Sequence, residues 1–273
     1  MTALPLPVSV LLPTHNCEAT IRDTLESVKW ADEILVVDSF STDGTLDICR
    51  GYAARVIQHE YINSARQKNW AVPQCCNEWV LQMDSDEVLG PGAREEIEQA
   101  IAQASPNTHA FRLPRRNHFL GHWMRHGGLY PDYQIRLFRR DKGRWQDREV
   151  HAHLMASGQL GTLTHGILHS DAPCIAVRIR HVDRYTRYEA DELRKRGRGF
   201  RWDDLVIRPW GAFFYRYFWL QGFRDGWRGF IYCAYMGIYV FLTRAKLWEL
   251  EELNVERSPK VAEGWSLVQR DQQ

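Results

Sequence analysis

Three short apolar runs, at residues 8–12, 34–37 and 79–83, each stop at a polar cluster, with helical patterns between them. That alternation marks strand–helix–strand units, which lay parallel strands side by side and cover the sheet with helices. Ligands of such sheets sit beyond the C-terminal strand ends. The clusters are Pro13-Thr14-His15-Asn16, Asp38-Ser39 and Asp84-Ser85-Asp86-Glu87. Asp and Ser at strand ends often only make turns, but three such ends converging on one sheet edge favour a binding site.

Between these points, Asn16 is placed to cap a helix running to Lys29, with Ile21, Leu25 and Val28 on one face. Ser41-Thr42-Asp43 signals a second helix start, and residues 55–58 read as a further strand. Gly90-Pro91-Gly92 precedes a helix striped by Ile97, Ala100, Ile101 and Ala104. From 110 to about 170 the pattern changes to strand-like pieces with many His, Arg and Gly residues. Beyond 176 it is helical and aromatic, with six of the eleven tryptophans after residue 200. The expected fold is α/β, a mixed and mostly parallel sheet flanked by helices. Residues 1–112 form its first half, 113–175 a substrate-facing extension, and 176–273 an aromatic-rich helical region.

Thirty-five Lys and Arg residues nearly balance 34 Asp and Glu, so the overall charge gives no argument for nucleic acid as a partner. The six cysteines form no CxxC pair, and adjacent Cys75 and Cys76 are poor disulfide material, which suits a reducing cytoplasm. Residues 1–13 lack the pattern of a signal peptide and read as a strand. Crossing a bilayer takes about 20 apolar residues, whereas the best stretch, 229–242, has 14 and is rich in tyrosine.

Asp84 and Asp86 bracket a single residue at the end of a strand, so their carboxylates emerge near one another. Like charges at that distance call for a cation. Mg2+ or Mn2+, held by one or two carboxylates and completed by water and phosphate oxygens, is the natural one. Asp38 offers acceptors to a base amide or a ribose hydroxyl. Lys68 offers a point charge to phosphate, and Asn69 a partner to a base edge. An exposed basic helix start is the plainer reading of Arg66-Gln67-Lys68-Asn69.

These motifs, in this order, resemble family 2 glycosyltransferases of GT-A fold. They are Ser9 to Asn16, Val36 to Thr45 with its Asp-Ser-Phe-Ser-Thr-Asp-Gly core, Gln67-Lys68-Asn69, and Asp84-Ser85-Asp86-Glu87. Residues 117–140, reading NHFLGHWMRHGGLYPDYQIRLFRR, resemble the lipopolysaccharide core β-1,4-glucosyltransferase subfamily, and Asp183-Arg184-Tyr185-Thr186 and residues 241–250 extend the likeness. The resemblance implies an inverting transferase with a UDP-sugar donor, glucose foremost, and a lipopolysaccharide-core or other membrane-associated glycan acceptor. It further implies that Pro13, Thr14, Glu18 and Asp38 line the nucleotide, that Lys68, Asn69, Asp84 and Ser85 complete the donor side, and that Asp84 and Asp86 meet the metal.

An inverting displacement needs a base within reach of the attacking hydroxyl. Members of this family often carry Val-His-Glu after the Arg-Leu-Phe-Arg strand, whereas Val150-His151-Ala152 stands here. Asp132, Glu149 and His151 remain as candidates, with Asp132 preferred; its alternative is a turn after Tyr130-Pro131. Trp123, His126, Gln134, Arg136 and Arg139 are the expected contacts to acceptor or diphosphate, arginine because it grips phosphate with two donors.

Between 208 and 248, aromatic residues alternate with Arg216, Arg224, Arg228, Arg244 and Lys246, a pattern suited to the membrane interface. Peripheral attachment to the cytoplasmic face of the inner membrane and assembly into a homodimer are both compatible with it. A nucleotidyltransferase would want a Gly-rich loop where Thr14-His15-Asn16-Cys17-Glu18 stands. A catalytically inert scaffold of the same fold is the other alternative, against which intact Asp38, Asp84 and Asp86 argue.

Overall fold

The computed structural model describes residues 6–146, 153–170 and 174–252. In chain order they form β1 (Leu6–Thr14), α1 (Glu18–Val28), β2 (Ala31–Asp38), α2 (Thr45–Gly51), β3 (Arg55–Gln58), α3 (Ser64–Ala71) and β4 (Trp79–Gln82). Then come β5 (Glu87–Leu89), α4 (Ala93–Ala102), β6 (Thr108–Phe119), β7 (His122–Trp123), β8 (Asp132–Arg139), β9 (Gly143–Trp145), β10 (Leu154–Ala156), β11 (Gln159–Thr162) and β12 (Ile167–Ser170). Helices α5 (Ile175–Lys195), α6 (Ile207–Phe214) and α7 (Gly226–Glu252) complete the described chain.

One ten-stranded sheet runs β3-β2-β1-β4-β8-β6-β12-β5, with β7 and β11 also paired to β6. Strands β1 to β4 are mutually parallel, and β8 is inserted antiparallel between β4 and β6. The apolar runs are continuous because both faces are covered. Val8, Val10 and Leu12 pack under Ile21, Leu25 and Ile97, while Leu11, Leu35 and Val80 face Ala65, Ala71 and Trp145 on the other side.

The expected strands are present, but three local expectations change. Helix α1 begins at Glu18, and Asn16 does not cap it: its backbone is left-handed (φ 47°) and its side chain accepts from the Thr42 amide at 2.8 Å. Asp43 serves two helix starts instead, accepting from the Glu18 and Thr45 amides at 3.1 Å each. The acidic cluster also contains a strand, β5, which pairs with β12. Finally, β6 is a single strand of 12 residues, so the division at 112/113 falls inside a strand.

The helical region docks on the loop between β7 and β8. Tyr232 and Cys233 of α7 pack with Phe119 and Met124. The Gly127 amide donates to the Leu220 carbonyl at 2.8 Å, and Arg216 donates to the Gly127 carbonyl at 3.0 Å. Among the described residues no helix is long and apolar enough to cross a membrane.

Candidate active site

Because β1, β2 and β4 run in parallel, their C-terminal ends share one edge: Thr14 pairs with Asp38, and Leu11 with Gln82. Asp38 and Asp84 therefore rise from strands two apart, roughly 10 Å across the sheet. The Asp38 carboxylate is fully buried. It accepts from Thr14 Oγ1 (3.0 Å), the Ser41 amide (2.9 Å), the Ser41 hydroxyl (2.5 Å) and Gln58 Nε2 (3.3 Å). Four donors fill a carboxylate's usual capacity, so Asp38 holds the loop that follows it. Glu18 braces the same loop by accepting from the Gly44 amide at 2.9 Å.

Lys68 is buried, so the exposed-helix reading of its segment does not hold. Its Nζ donates to Asp84 Oδ1 at 2.9 Å, Gln82 Nε2 donates to the same oxygen at 2.9 Å, and Arg136 Nη2 donates to Oδ2 at 3.0 Å. Burial alone would push the Asp84 carboxyl up, but the Lys68 and Arg136 cations outweigh it and hold the group well below its ordinary value. Arg136 also bonds Gln82 Oε1 and Glu87. Glu87 has no exposed surface, and burial, reinforced by the Asp84 charge, keeps its carboxyl above the ordinary value despite Arg136.

On the acceptor side, Asp132 opens β8 and takes hydrogen bonds from Arg115 Nε (2.9 Å), Asn117 Nδ2 (3.1 Å) and Gln134 Nε2 (2.6 Å). Burial raises its carboxyl, and Arg115 with the two amides brings it below the ordinary value. Asn117 Oδ1 lies 2.9 Å from His169 Nδ1, and His169 Nε2 lies 3.5 Å from Asp86 Oδ2. Asp132 and Asp86 are thus joined through two side chains. Burial lowers the His169 imidazole's affinity for a proton, and the Asp86 bond overcomes this, leaving it raised.

The metal expectation divides between the two aspartates. Lys68 and Arg136 already offset the repulsion at Asp84, whose Oδ1 takes two donors and Oδ2 one, so that its 37% exposed carboxylate keeps only part of its capacity for a cation. Asp86 is the freer of the two: its side chain is 40% exposed and, among the described residues, its ion-pair partner is His169. Among the described residues no three His, Cys, Asp or Glu side chains form a metal cage. A single open carboxylate suits Mg2+ or Mn2+ that takes its other ligands from water and phosphate.

Other expected residues fall elsewhere. Arg139 pairs across the sheet with Trp79 at the start of β4, bonds Glu78 and the Thr108 carbonyl, and so lies at the opposite edge from Asp84. Three positions along a strand reverse the face and add about 10 Å, which separates it from Arg136. Asn69 spends its whole amide on the Trp145 backbone, with two bonds of 2.9 Å. Ser85 uses its carbonyl to accept from Thr24 at 3.1 Å. His126 pairs with Asp225 at 3.1 Å, and Trp123 lies beneath Arg116 and Arg125. Glu149 and His151 lie outside the described residues. Gln82, Arg115, Asn117 and His169 were not singled out for this site. The polar run from Arg115 to Asn117 on a long strand is the one signal that pointed there.

A mostly parallel sheet gathers its acidic strand ends on one rim, the place where open α/β sheets bind ligands, and an antiparallel strand brings a further carboxylate there. The chain belongs to glycosyl transferase family 2, whose sequence profile matches residues 9–160. It is 30% identical over 256 residues to the lipopolysaccharide core biosynthesis glycosyltransferase LpsC of Rhizobium meliloti, covering 91% of this chain and 94% of that protein. It is 27% identical over 254 residues to the uncharacterized glycosyltransferase RT0209 of Rickettsia typhi, covering 89% and 87%. Among solved structures, the mannosyltransferase PcManGT from Pyrobaculum calidifontis, in complex with GDP-Man and Mn2+, shares the fold: TM-score 0.53, 17% identity, 92% of this chain and 91% of that one. The GT-A architecture expected from the motifs is the one present.

Proposed function

We propose that this glycosyltransferase is an inverting enzyme that moves a sugar, glucose foremost, from a UDP donor to a lipopolysaccharide-core glycan at the cytoplasmic face of the inner membrane. The observation that carries this reading is the gathering of Asp38, Lys68, Asp84, Asp86 and Asp132 around one sheet edge; the likeness to LpsC supports the acceptor class.

In this reading Pro13, Thr14, Glu18 and Asp38 shape the nucleotide's seat, Asp38 by fixing the Thr14 and Ser41 hydroxyls. Asp86 is the ligand of a divalent metal, which when bound neutralises charge on the diphosphate leaving group. Lys68 and Arg136 keep Asp84 ionised and immobile beside it. Asp132 accepts the proton of the attacking acceptor hydroxyl, Arg115 and Asn117 holding its carboxylate in one orientation.

The test is a hydrolysis and transfer screen of purified protein against a panel of nucleotide sugars with Mn2+. UDP-glucose turnover is expected, lost in Asp86→Ala. Undiminished turnover in that variant would remove the metal role from Asp86. A folded protein that turns over no nucleotide sugar would remove the transferase reading.

A further inference from the structure

The helical region exposes an ordered ridge of large apolar side chains. Ile207, Trp210, Phe214 and Phe218 follow one another at helical spacing along α6 and the π-helical segment Tyr215–Trp219. Their rings stack in sequence, Trp210 on Phe214 and Phe214 on Phe218, at 5.9 Å each. Trp219, next in sequence to Phe218, and Trp227, whose ring meets Phe230 at 6.0 Å, are 77% and 80% exposed, while Phe213 and Tyr217 pack inward against Phe230. Soluble proteins rarely leave so much contiguous apolar surface uncovered.

Its charge identifies the occupant. Residues 206–241 contain four arginines, 208, 216, 224 and 228, and one acidic residue, Asp225. The Asp225 side chain is only 4% exposed and is turned onto His126 and the amides of Arg125 and His126. Arg208 pairs with Asp204 and Arg216 is turned onto the Gly127 carbonyl, so the face shown to solvent is aromatic and takes its positive charge from exposed Arg224 and Arg228. A second copy seated across a two-fold axis would press this face on its own equivalent, arginine toward arginine. An anionic bilayer supplies what is missing on both counts: phosphates for the arginines and a headgroup layer for Trp, Tyr and Phe rings.

We infer that this ridge is the surface by which the protein lies on an anionic membrane, without crossing it. The same face borders a cleft of about 360 Å³, with His122, Trp123, Arg125 and His126 on one wall and Arg224 and Asp225 on the other. Arg224 thus belongs to both the docking face and the cleft, which gives a lipid-borne glycan an entry from the bilayer toward β6 and β8. That use of the cleft rests on the proposed function above; the docking surface does not.

The experiment is co-sedimentation of the full chain with phosphatidylglycerol-containing vesicles and with pure phosphatidylcholine vesicles, without nucleotide sugar. Wild type sediments with the anionic vesicles. The double substitution Trp219→Ser, Trp227→Ser weakens that partitioning by about tenfold or more and leaves nucleotide-sugar hydrolysis unchanged. Arg228→Glu weakens it in the same direction. Protein that stays in the supernatant with both vesicles overturns the proposal, and a dimer split by the tryptophan substitutions would make a second copy the occupant. Sedimentation indifferent to those substitutions overturns this choice of surface. Hydrolysis assayed in parallel keeps a failed docking surface distinct from a failed transferase.

Discussion

Arg136 touches Gln82, Asp84 and Glu87 at once, and it is itself almost fully buried. Removing one partner from a buried ionic group costs about 3–5 kcal/mol, because the remaining charge is left unpaired. Arg136→Met should destabilise the fold by that order in urea unfolding; a loss near zero would mean that Glu87 is already neutral and needs no cation. Asp132 differs in being partly open. Asp132→Asn should reduce kcat by about 10²–10⁴ with little change in KM for the donor, since the base acts after the donor is seated. Its carboxyl is held below the ordinary value, so its contribution to stability is present above the unfolded value near pH ~3.9 and is lost as the pH falls through the lower folded value. The stability gap between wild type and Asp132→Asn should therefore be fully developed at neutral pH and close in acid. A gap that widened on acidification would contradict the Arg115 pairing.

At the scale of elements, the sequence exposes what is local and hides what is distant. Strands β1 to β4 and the acidic rim are legible because each apolar run and its terminal cluster lie within a few residues. The partner of Asp84 is not, since Arg136 reaches it from 52 residues away on an antiparallel strand that no local pattern orders against β4. The repulsion argument for a metal at Asp84–Asp86 was made without that partner, and Lys68 and Arg136 offset part of the charge it counted. The partner of Asn69 is hidden for a related reason: its bonds go to β9, 76 residues on. Close element contacts are similarly silent in sequence. A Cβ at Gly229 of α7 would stand 1.9 Å from the Gly222 carbonyl oxygen, in the turn that carries Asp225. Gly229→Ala should cost about 1–3 kcal/mol, as overpacking does, and loosen Asp225 from His126. Thermal unfolding measures the first effect, and an unchanged melting temperature would show that the turn yields freely.

For the whole molecule, two attractions act on different ranges at the proposed docking face. Raising the ionic strength from about 0.01 to about 0.15 M shortens electrostatic reach from about 30 to about 8 Å, whereas ring burial is insensitive to such a change. Vesicle binding should weaken with salt without vanishing, and the double tryptophan variant should bind poorly even at low salt. Binding indifferent to salt would remove the arginines from the account.

The Asp225 contacts fix the turn beside the ridge to the loop between β7 and β8, and β8 begins at Asp132. A bilayer beneath the ridge would consequently stand at a set height from Asp132, the carboxylate proposed to take the proton. Glycans growing outward from a lipid would be gauged by that standoff, with the sugar at the matching rung presented and shorter or longer chains missing it.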